Sequence, residues 1–147
     1  MEIIEMVKED IDRYVALYIS VFNDKPWNDR WTQETANIRI RDMMDTHTFV
    51  GKALIEGDQL IGMIWGQKEQ FYNGVHFQIQ EFCVKSNLQG KGYGSMLLSA
   101  LRDTLQTDNI SNIYLITAKG ERTEGYYLRK GFKTSSDMIL MSQSLHQ

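Results

Sequence analysis

The segment Gln89-Gly-Lys-Gly-Tyr-Gly-Ser constrains this chain more than any other. It places glycines at 90, 92 and 94, after an extended run and before a strongly patterned helix. Glycine reaches backbone conformations that other residues disfavour. Such a turn can therefore aim several N–H groups at one point and let a ligand approach the backbone closely. A helix starting there adds the partial positive charge of its N-terminus. The combination suits a pyrophosphate. It is not a P-loop, which ends in Gly-Lys-Ser/Thr, nor a Rossmann turn, whose third glycine falls one residue later. A tight strand-to-helix turn without a ligand is the other reading of these residues.

The flanking patterns predict the elements around the turn. A strand covers residues 2–7. Ile11, Tyr14, Val15, Tyr18 and Phe22 recur at helical spacing and predict a helix over Asp10–Asn23. Pro26 breaks the following loop, and Thr32 offers an N-cap for a second helix to about Thr46, with the thinner stripe Ala36, Ile38, Ile40, Met43 and Met44. Strands over Thr48–Ile55 and Gln59–Gln67 flank a hairpin turn at Glu56-Gly57-Asp58. A third strand covers Val75–Val84. Regular alternation would put Phe77, Ile79 and Glu81 on one face and Gln78, Gln80 and Phe82 on the other. After the glycine turn, Leu97, Leu98, Leu101 and Leu105 mark a helix to about Gln106. Ile113–Thr117 reads as a buried strand, and Glu121–Lys130 as a helix stopped by Gly131. Short strands at Phe132–Lys133 and Met138–Met141 close the chain. The order β-α-α-β-β-β-α-β-α-β-β is mixed α/β, with helices on both faces of one sheet.

Composition narrows the classes. A chain of 147 residues, 42% hydrophobic and 24% charged, is expected to form one domain over residues 1–147. Cys83 is the only cysteine, which excludes an internal disulfide and suits a reducing compartment. The acidic N-terminus lacks a signal-peptide pattern, and no run approaches the ~18 apolar residues of a membrane span. The expected location is the cytoplasm, with no membrane partner. A net charge of −3 disfavours nucleic acid and is compatible with a cationic small molecule. His47, His76 and His146 show no metal-ligand spacing, so no metal is expected. No histidine of suitable local context accompanies Cys83, which reads as a small core residue rather than a nucleophile.

Two segments carry a resemblance. Phe82-Cys-Val-Lys-Ser-Asn-Leu-Gln-Gly-Lys-Gly-Tyr-Gly-Ser-Met-Leu-Leu resembles the central motif of the GCN5-related N-acetyltransferases (GNAT). That motif is a strand ending in Val, a short loop, then [Arg/Gln]-x-x-Gly-x-[Gly/Ala], here Gln89, Gly92 and Gly94. Downstream, Gly125-Tyr-Tyr-Leu-Arg-Lys-Gly-Phe132 resembles the second signature, [Phe/Tyr]-Tyr-x-x-x-Gly-Phe. The element order matches the family over nearly the whole chain.

The resemblance implies a GNAT fold with a mixed, mostly antiparallel sheet and acetyl-CoA as co-substrate. It also implies acetyl transfer to a primary amine of a small molecule by direct attack, with no covalent enzyme intermediate. Gln89, Gly90, Lys91, Gly92, Tyr93, Gly94 and Ser95 would hold the pyrophosphate. The backbone of Phe82, Cys83 and Val84 would pair with the pantetheine arm where this strand splays from the next. An N–H near Phe82 or Cys83 would polarise the thioester carbonyl. Tyr127 aligns with the family's general acid for the departing thiolate; next to Tyr126 on an amphipathic helix, it also reads as a core tyrosine. Glu81 stands where many members carry an acid and is the candidate base; a hydrogen-bonded strand carboxylate is its other reading. Gln78 and Gln80 would line the acceptor site.

The loop from Phe22 to Trp31 lies where the family builds its acceptor pocket, and its Pro-Trp stretch is similar to that of aminoglycoside 6'-N-acetyltransferase-like members. Trp27 and Trp31 would be pocket walls, with Asp24 or Asp29 attracting a cationic amine. A loop simply pinned to the core by its tryptophans is the plainer reading. Gly120 and Thr123 stand where members often carry Asn and Ala, which puts one pantetheine contact in doubt. Rival readings are a protein or peptide N-acetyltransferase and a non-catalytic acyl-CoA-binding module. A homodimer is compatible with each.

Overall fold

Alternating and continuous apolar runs pair into one five-stranded sheet, in the order β1-β2-β3-β4-β5. The computed structural model describes residues 1–146. Its elements are β1 (Glu2–Glu5), α1 (Ile11–Phe22), α2 (Gln33–Met44), β2 (Phe49–Glu56), β3 (Gln59–Phe71), β4 (Gly74–Val84), α3 (Tyr93–Thr107), β5 (Asn112–Leu115) and α4 (Glu124–Arg129). Neighbouring strands run antiparallel, except that β5 joins β4 in parallel. The chain divides into two units, Met1–Leu115, which holds the whole sheet, and Ile116–Gln147, which holds α4.

Helices cover both faces of the sheet, as the element order predicts. On one face Tyr14, Val15 and Tyr18 of α1 and Ala36 and Ile40 of α2 share a core with Ala53, Met63, Trp65 and Cys83. Adjacent strand residues point to opposite faces. Gly62 therefore faces α3, where an added Cβ would lie 3.0 Å from Leu97 Cδ1. Leu97, Leu98, Leu101 and Leu105 are all buried on that side. Thr32 caps α2 as its sequence position predicts: its hydroxyl accepts from Thr35 N–H at 3.0 Å while Thr35 Oγ accepts from Thr32 N–H at 2.9 Å.

The alternation expected along β4 is broken. Trp65 pairs with Glu81 and Gly66 with Ile79, so Gln80 is an extra residue in a β-bulge. Paired residues share a face. Phe77, Ile79 and Phe82 therefore face α3, whereas Gln78, Glu81 and Cys83 face α1 and α2. Gly66 accommodates the bulge: a Cβ there would stand 1.8 Å from the Gln78 carbonyl oxygen.

Further expectations change. The strand expected to be buried over Ile113–Thr117 is β5, which ends at Leu115 and is at most half-buried, and the helix expected from Glu121 begins at Glu124. The first strand ends at Glu5, not residue 7, and β3 runs on to Phe71, past Gln67. The closing strands at Phe132–Lys133 and Met138–Met141 do not form. Met138–Met141 is apolar enough for a strand, but a strand needs a ladder, and these residues are exposed. Phe132 instead completes the C-terminal cap of α4. Phe132 N–H donates to Tyr127 O at 3.0 Å and Gly131 N–H to Leu128 O at 3.2 Å, a Schellman motif around Gly131 at φ 94°. No helix among the described residues is long and apolar enough to cross a membrane.

Candidate active site

The bulge sets the site by turning Glu81 toward α1 and α2. Arg39 on α2 donates to Glu81 Oε1 from Nη2 at 2.8 Å and from Nε at 3.3 Å. The same Nε donates to the Tyr18 hydroxyl at 3.1 Å. The Glu81 side chain is only 12% exposed. Burial pushes its carboxyl above the usual carboxylate range, while the hydrogen bonds and charge of Arg39 and the Tyr18 contact pull it back without cancelling the rise. Burial, then the charge of Glu81, pushes the Tyr18 phenol far up. The result is a carboxylate more basic than usual, held beside one cation and one neutral phenol.

Neither Tyr18 nor Arg39 stands out in the sequence as a site residue. Tyr18 belongs to the apolar stripe of α1 and is packed there as predicted. Arg39 flanks the buried Ala36–Ile40 stripe of α2, so helical phase could have placed it at the edge of the core. Nothing local says that its partner lies 42 residues on.

The loop after α1 is both pinned and pocket-forming. The Asn23 side chain accepts from Trp31 N–H at 2.8 Å and donates to Trp31 O at 2.9 Å. The indole N–H of Trp31 donates to Asp29 at 3.0 Å. Its ring meets Tyr18 edge-on at 5.1 Å, and the Arg39 guanidinium lies 5.8 Å from the ring centroid. A pocket of about 300 Å³ is lined by Trp31, Thr35, Ile38, Arg39, Asp42 and Met43. Trp27 lies outside this lining, half exposed and 5.8 Å from the Phe22 ring. Asp24 accepts from the Lys25 N–H at 2.8 Å, a local turn contact. Gln78 is half-buried on the Glu81 face, and the bulged Gln80 has a buried Oε1 with no hydrogen-bond partner among the described residues.

The other end of β4 leads into the glycine turn. The β4–β5 ladder runs from His76↔Asn112 to Ile79↔Leu115 and stops at the bulge. Cys83 is buried, and burial followed by the Glu81 charge pushes its thiol up, away from a reactive thiolate. Gln89 Nε2 donates to the Val84 carbonyl at 3.1 Å and ties the turn to the strand end. Gly90 and Gly92 have φ of 79° and 88°, and a Cβ on either would meet nothing within 4 Å. Backbone conformation, not crowding, requires glycine there. Gly92 is the N-cap of α3 and makes no side-chain cap bond. The amides of Tyr93, Gly94 and Ser95 open the helix without intrahelical acceptors. Open space in front of left-handed glycines and a helix start fits an anionic group such as a pyrophosphate. Lys91 is exposed beside it.

In the second unit, Tyr127 is the residue whose carbonyl anchors the α4 cap, and its ring meets Phe132 at 5.4 Å and Tyr126 at 5.3 Å. The Tyr-x-x-x-Gly-Phe signature is thus, in part, the sequence of a Schellman motif with its hydrophobic contact. Thr123 donates its hydroxyl to the Ala118 carbonyl at 2.6 Å, and Gly120 has φ 133°.

Comparison with known proteins places the architecture. The model of the acetyltransferase (GNAT) family matches residues 11–132. No curated protein matches the chain. Among solved structures, a possible acetyltransferase from Clostridium difficile 630 superposes with a TM-score of 0.84 at 15% identity, covering 99% of this chain and 98% of that one. A GNAT family acetyltransferase from Staphylococcus aureus gives 0.76 at 18% identity, covering 97% and 100%. An aminoglycoside acetyltransferase from an uncultured soil metagenomic sample, in complex with sisomicin, gives 0.72 at 14% identity, covering 99% and 96%. These likenesses establish the fold, and the family match over most of the sequence establishes more: the chain belongs to the GNAT acetyltransferases.

Proposed function

We propose that the chain works as one enzymatic domain that transfers an acetyl group from acetyl-CoA to a primary amine of a small molecule. The family model crosses both units, which supports one working domain. The observation that carries the acceptor reading is Glu81: a buried, raised-pKa carboxylate bound to Arg39, which also lines the Trp31 pocket. The depression of about 300 Å³ beside Arg39 offers Trp31 as an aromatic wall for an amine. Asp42 lines it beside Arg39, and Asp29 accepts from the indole of its Trp31 wall, so carboxylates stand on the acceptor side as well as the guanidinium. The soil-metagenome relative solved with sisomicin supports an amine acceptor of that kind.

In this reading the acceptor ammonium gives one proton to Glu81, directly or through one water, leaving a neutral amine and a carboxylic acid. The amine nitrogen attacks the thioester carbonyl, whose oxygen is polarised by backbone N–H near Phe82 or Cys83. The C–S bond breaks as the C–N bond forms, Tyr127 protonates the departing thiolate, and the second proton released by the acylated nitrogen returns to the Tyr127 phenolate. The backbone of Phe82, Cys83 and Val84 takes the pantetheine arm. The turn from Gln89 to Ser95 takes the pyrophosphate, and Gln78 and Gln80 line the acceptor side. Acetyl-CoA supply and the free thiol both suit a cytoplasmic setting.

The test is thiol release from acetyl-CoA across a panel of primary amines, with wild type and Tyr127→Phe. Amine-dependent release is expected, and Tyr127→Phe should lower kcat by roughly 10²-fold with little change in acetyl-CoA affinity. Release that never exceeds hydrolysis with any amine overturns the reading. Wild-type turnover in Tyr127→Phe removes the tyrosine from the mechanism.

A further inference from the structure

Arg39 does more than neutralise a buried charge. Its guanidinium binds Glu81 through two nitrogens, holds the Tyr18 hydroxyl and packs against the Trp31 ring, so one side chain touches the base, a core phenol and a pocket wall. We propose that Arg39 is a positioning residue, which fixes the rotamer of Glu81 and keeps its carboxylate ionised and ready to accept the acceptor's proton. The inference rests on Glu81 being the base and adds what makes that base usable.

The environment of Glu81 requires such a partner. The groups facing it are Arg39 from α2, the neutral Tyr18 phenol from α1, Asp29 from the loop and Cys83 from its own strand. Burial disfavours its charge and Asp29 opposes it; the hydrogen bonds of Arg39 and Tyr18 favour it. Arg39 is the only cation among these groups. Without it, burial and Asp29 would push the carboxyl further up, toward its protonated form. Arg39 itself holds its proton: burial works against its charge, but Glu81 and Tyr18 outweigh burial. Its planar fork also fixes the direction from which Glu81 Oε1 is engaged, which a lysine cannot reproduce.

A structural ion pair would move stability and the Glu81 titration alone. A positioning residue also moves the pH profile of the reaction. The experiment follows the Glu81 carboxyl carbon by ¹³C NMR over a pH series in wild type, Arg39→Lys and Arg39→Gln, with Glu81→Gln identifying the signal. Retained acetyl-CoA-induced thermal stabilisation shows that each variant is folded. Arg39→Gln is expected to raise the Glu81 titration by about one unit or more, with Arg39→Lys between it and wild type. With the best amine, Arg39→Gln should lower kcat/KM at least ~tenfold on the acidic limb and recover toward the alkaline plateau. Added to Glu81→Gln it should change kcat and its pH dependence no further, any change in amine KM reflecting its place in the pocket wall. A Glu81 titration that Arg39→Gln leaves in place, or an equal rate loss at every pH, overturns the proposal. A wild-type pH profile in Glu81→Gln instead defeats the base assignment itself, so the two failures are separable. The carboxyl titration needs no knowledge of the acceptor.

Discussion

The middle of β4 carries the bulge that aims Glu81, and the end of the strand leads into the glycine turn. The two regions specify backbone irregularity in opposite ways. At the turn, Gly90 and Gly92 supply left-handed conformations that no other residue adopts cheaply, and the space beside them is open. At the bulge the one sign within β4 is the polar pair Gln80-Glu81, which interrupts the alternation begun by Phe77-Gln-Ile. The irregularity is accommodated from outside by Gly66 on β3, which leaves room for the Gln78 carbonyl. At the turn a new side chain meets open space and costs only backbone strain. A bulge specified by its neighbour fails as structure.

Gly66→Ala tests that contrast most severely. Its Cβ would stand 1.8 Å from a backbone oxygen, so β3 and β4 must separate or lose the bulge. We expect a loss of about 3 kcal/mol or more, the scale of overpacking a core at its worst, read as a fall in the urea midpoint. If the protein keeps its stability and Glu81 its titration, the bulge does not depend on Gly66, and the difference between the two regions collapses.

Gly92→Val is expected to be milder for the fold and decisive for the ligand. The added side chain meets open space, leaving a backbone cost of roughly 1–2 kcal/mol for a left-handed non-glycine residue. Acetyl-CoA should raise the wild-type Tm by mass action, and a valine in front of the helix start should remove that shift. A folded Gly92→Val protein whose Tm still rises with acetyl-CoA would mean that the turn is a structural connection and the pyrophosphate sits elsewhere.

The same division explains which parts of the molecule are legible in the sequence. The glycine turn, the Thr32 cap, the leucine face of α3 and the Gly131 stop are local: each is a residue type at a spacing that one segment satisfies alone. The extension of β3 to Phe71, the inverted facing of Glu81 and the Arg39–Glu81 pair are decided between segments. Regular alternation assigns Glu81 to the Ile79 face; the adjacent polar residues Gln80 and Glu81 are the only mark in the strand of the one-residue register change that reverses it. Met138–Met141 fails for the related reason that β-propensity describes fit to a sheet and cannot supply the ladder.

The smallest expected effect separates two residues that look alike in sequence. Trp27 and Trp31 lie in the same loop, four positions apart, and the sequence resemblance makes both walls of an acceptor pocket. In the structure Trp31 lines the pocket beside Arg39, held by two hydrogen bonds with Asn23 and set against Tyr18, whereas Trp27 leans on Phe22 at the surface. Replacing Trp31 by Phe keeps an aromatic wall but loses the bond to Asp29; replacing it by Ala loses the wall. We therefore expect Trp31→Ala to raise KM for the amine about tenfold, Trp31→Phe to raise it less, and Trp27→Ala to change it little, with KM for acetyl-CoA steady in all three. The ordering matters more than the size. If Trp27→Ala weakens the amine as much as Trp31→Ala does, the acceptor contacts the outer side of the loop, and the pocket beside Arg39 is not where it binds.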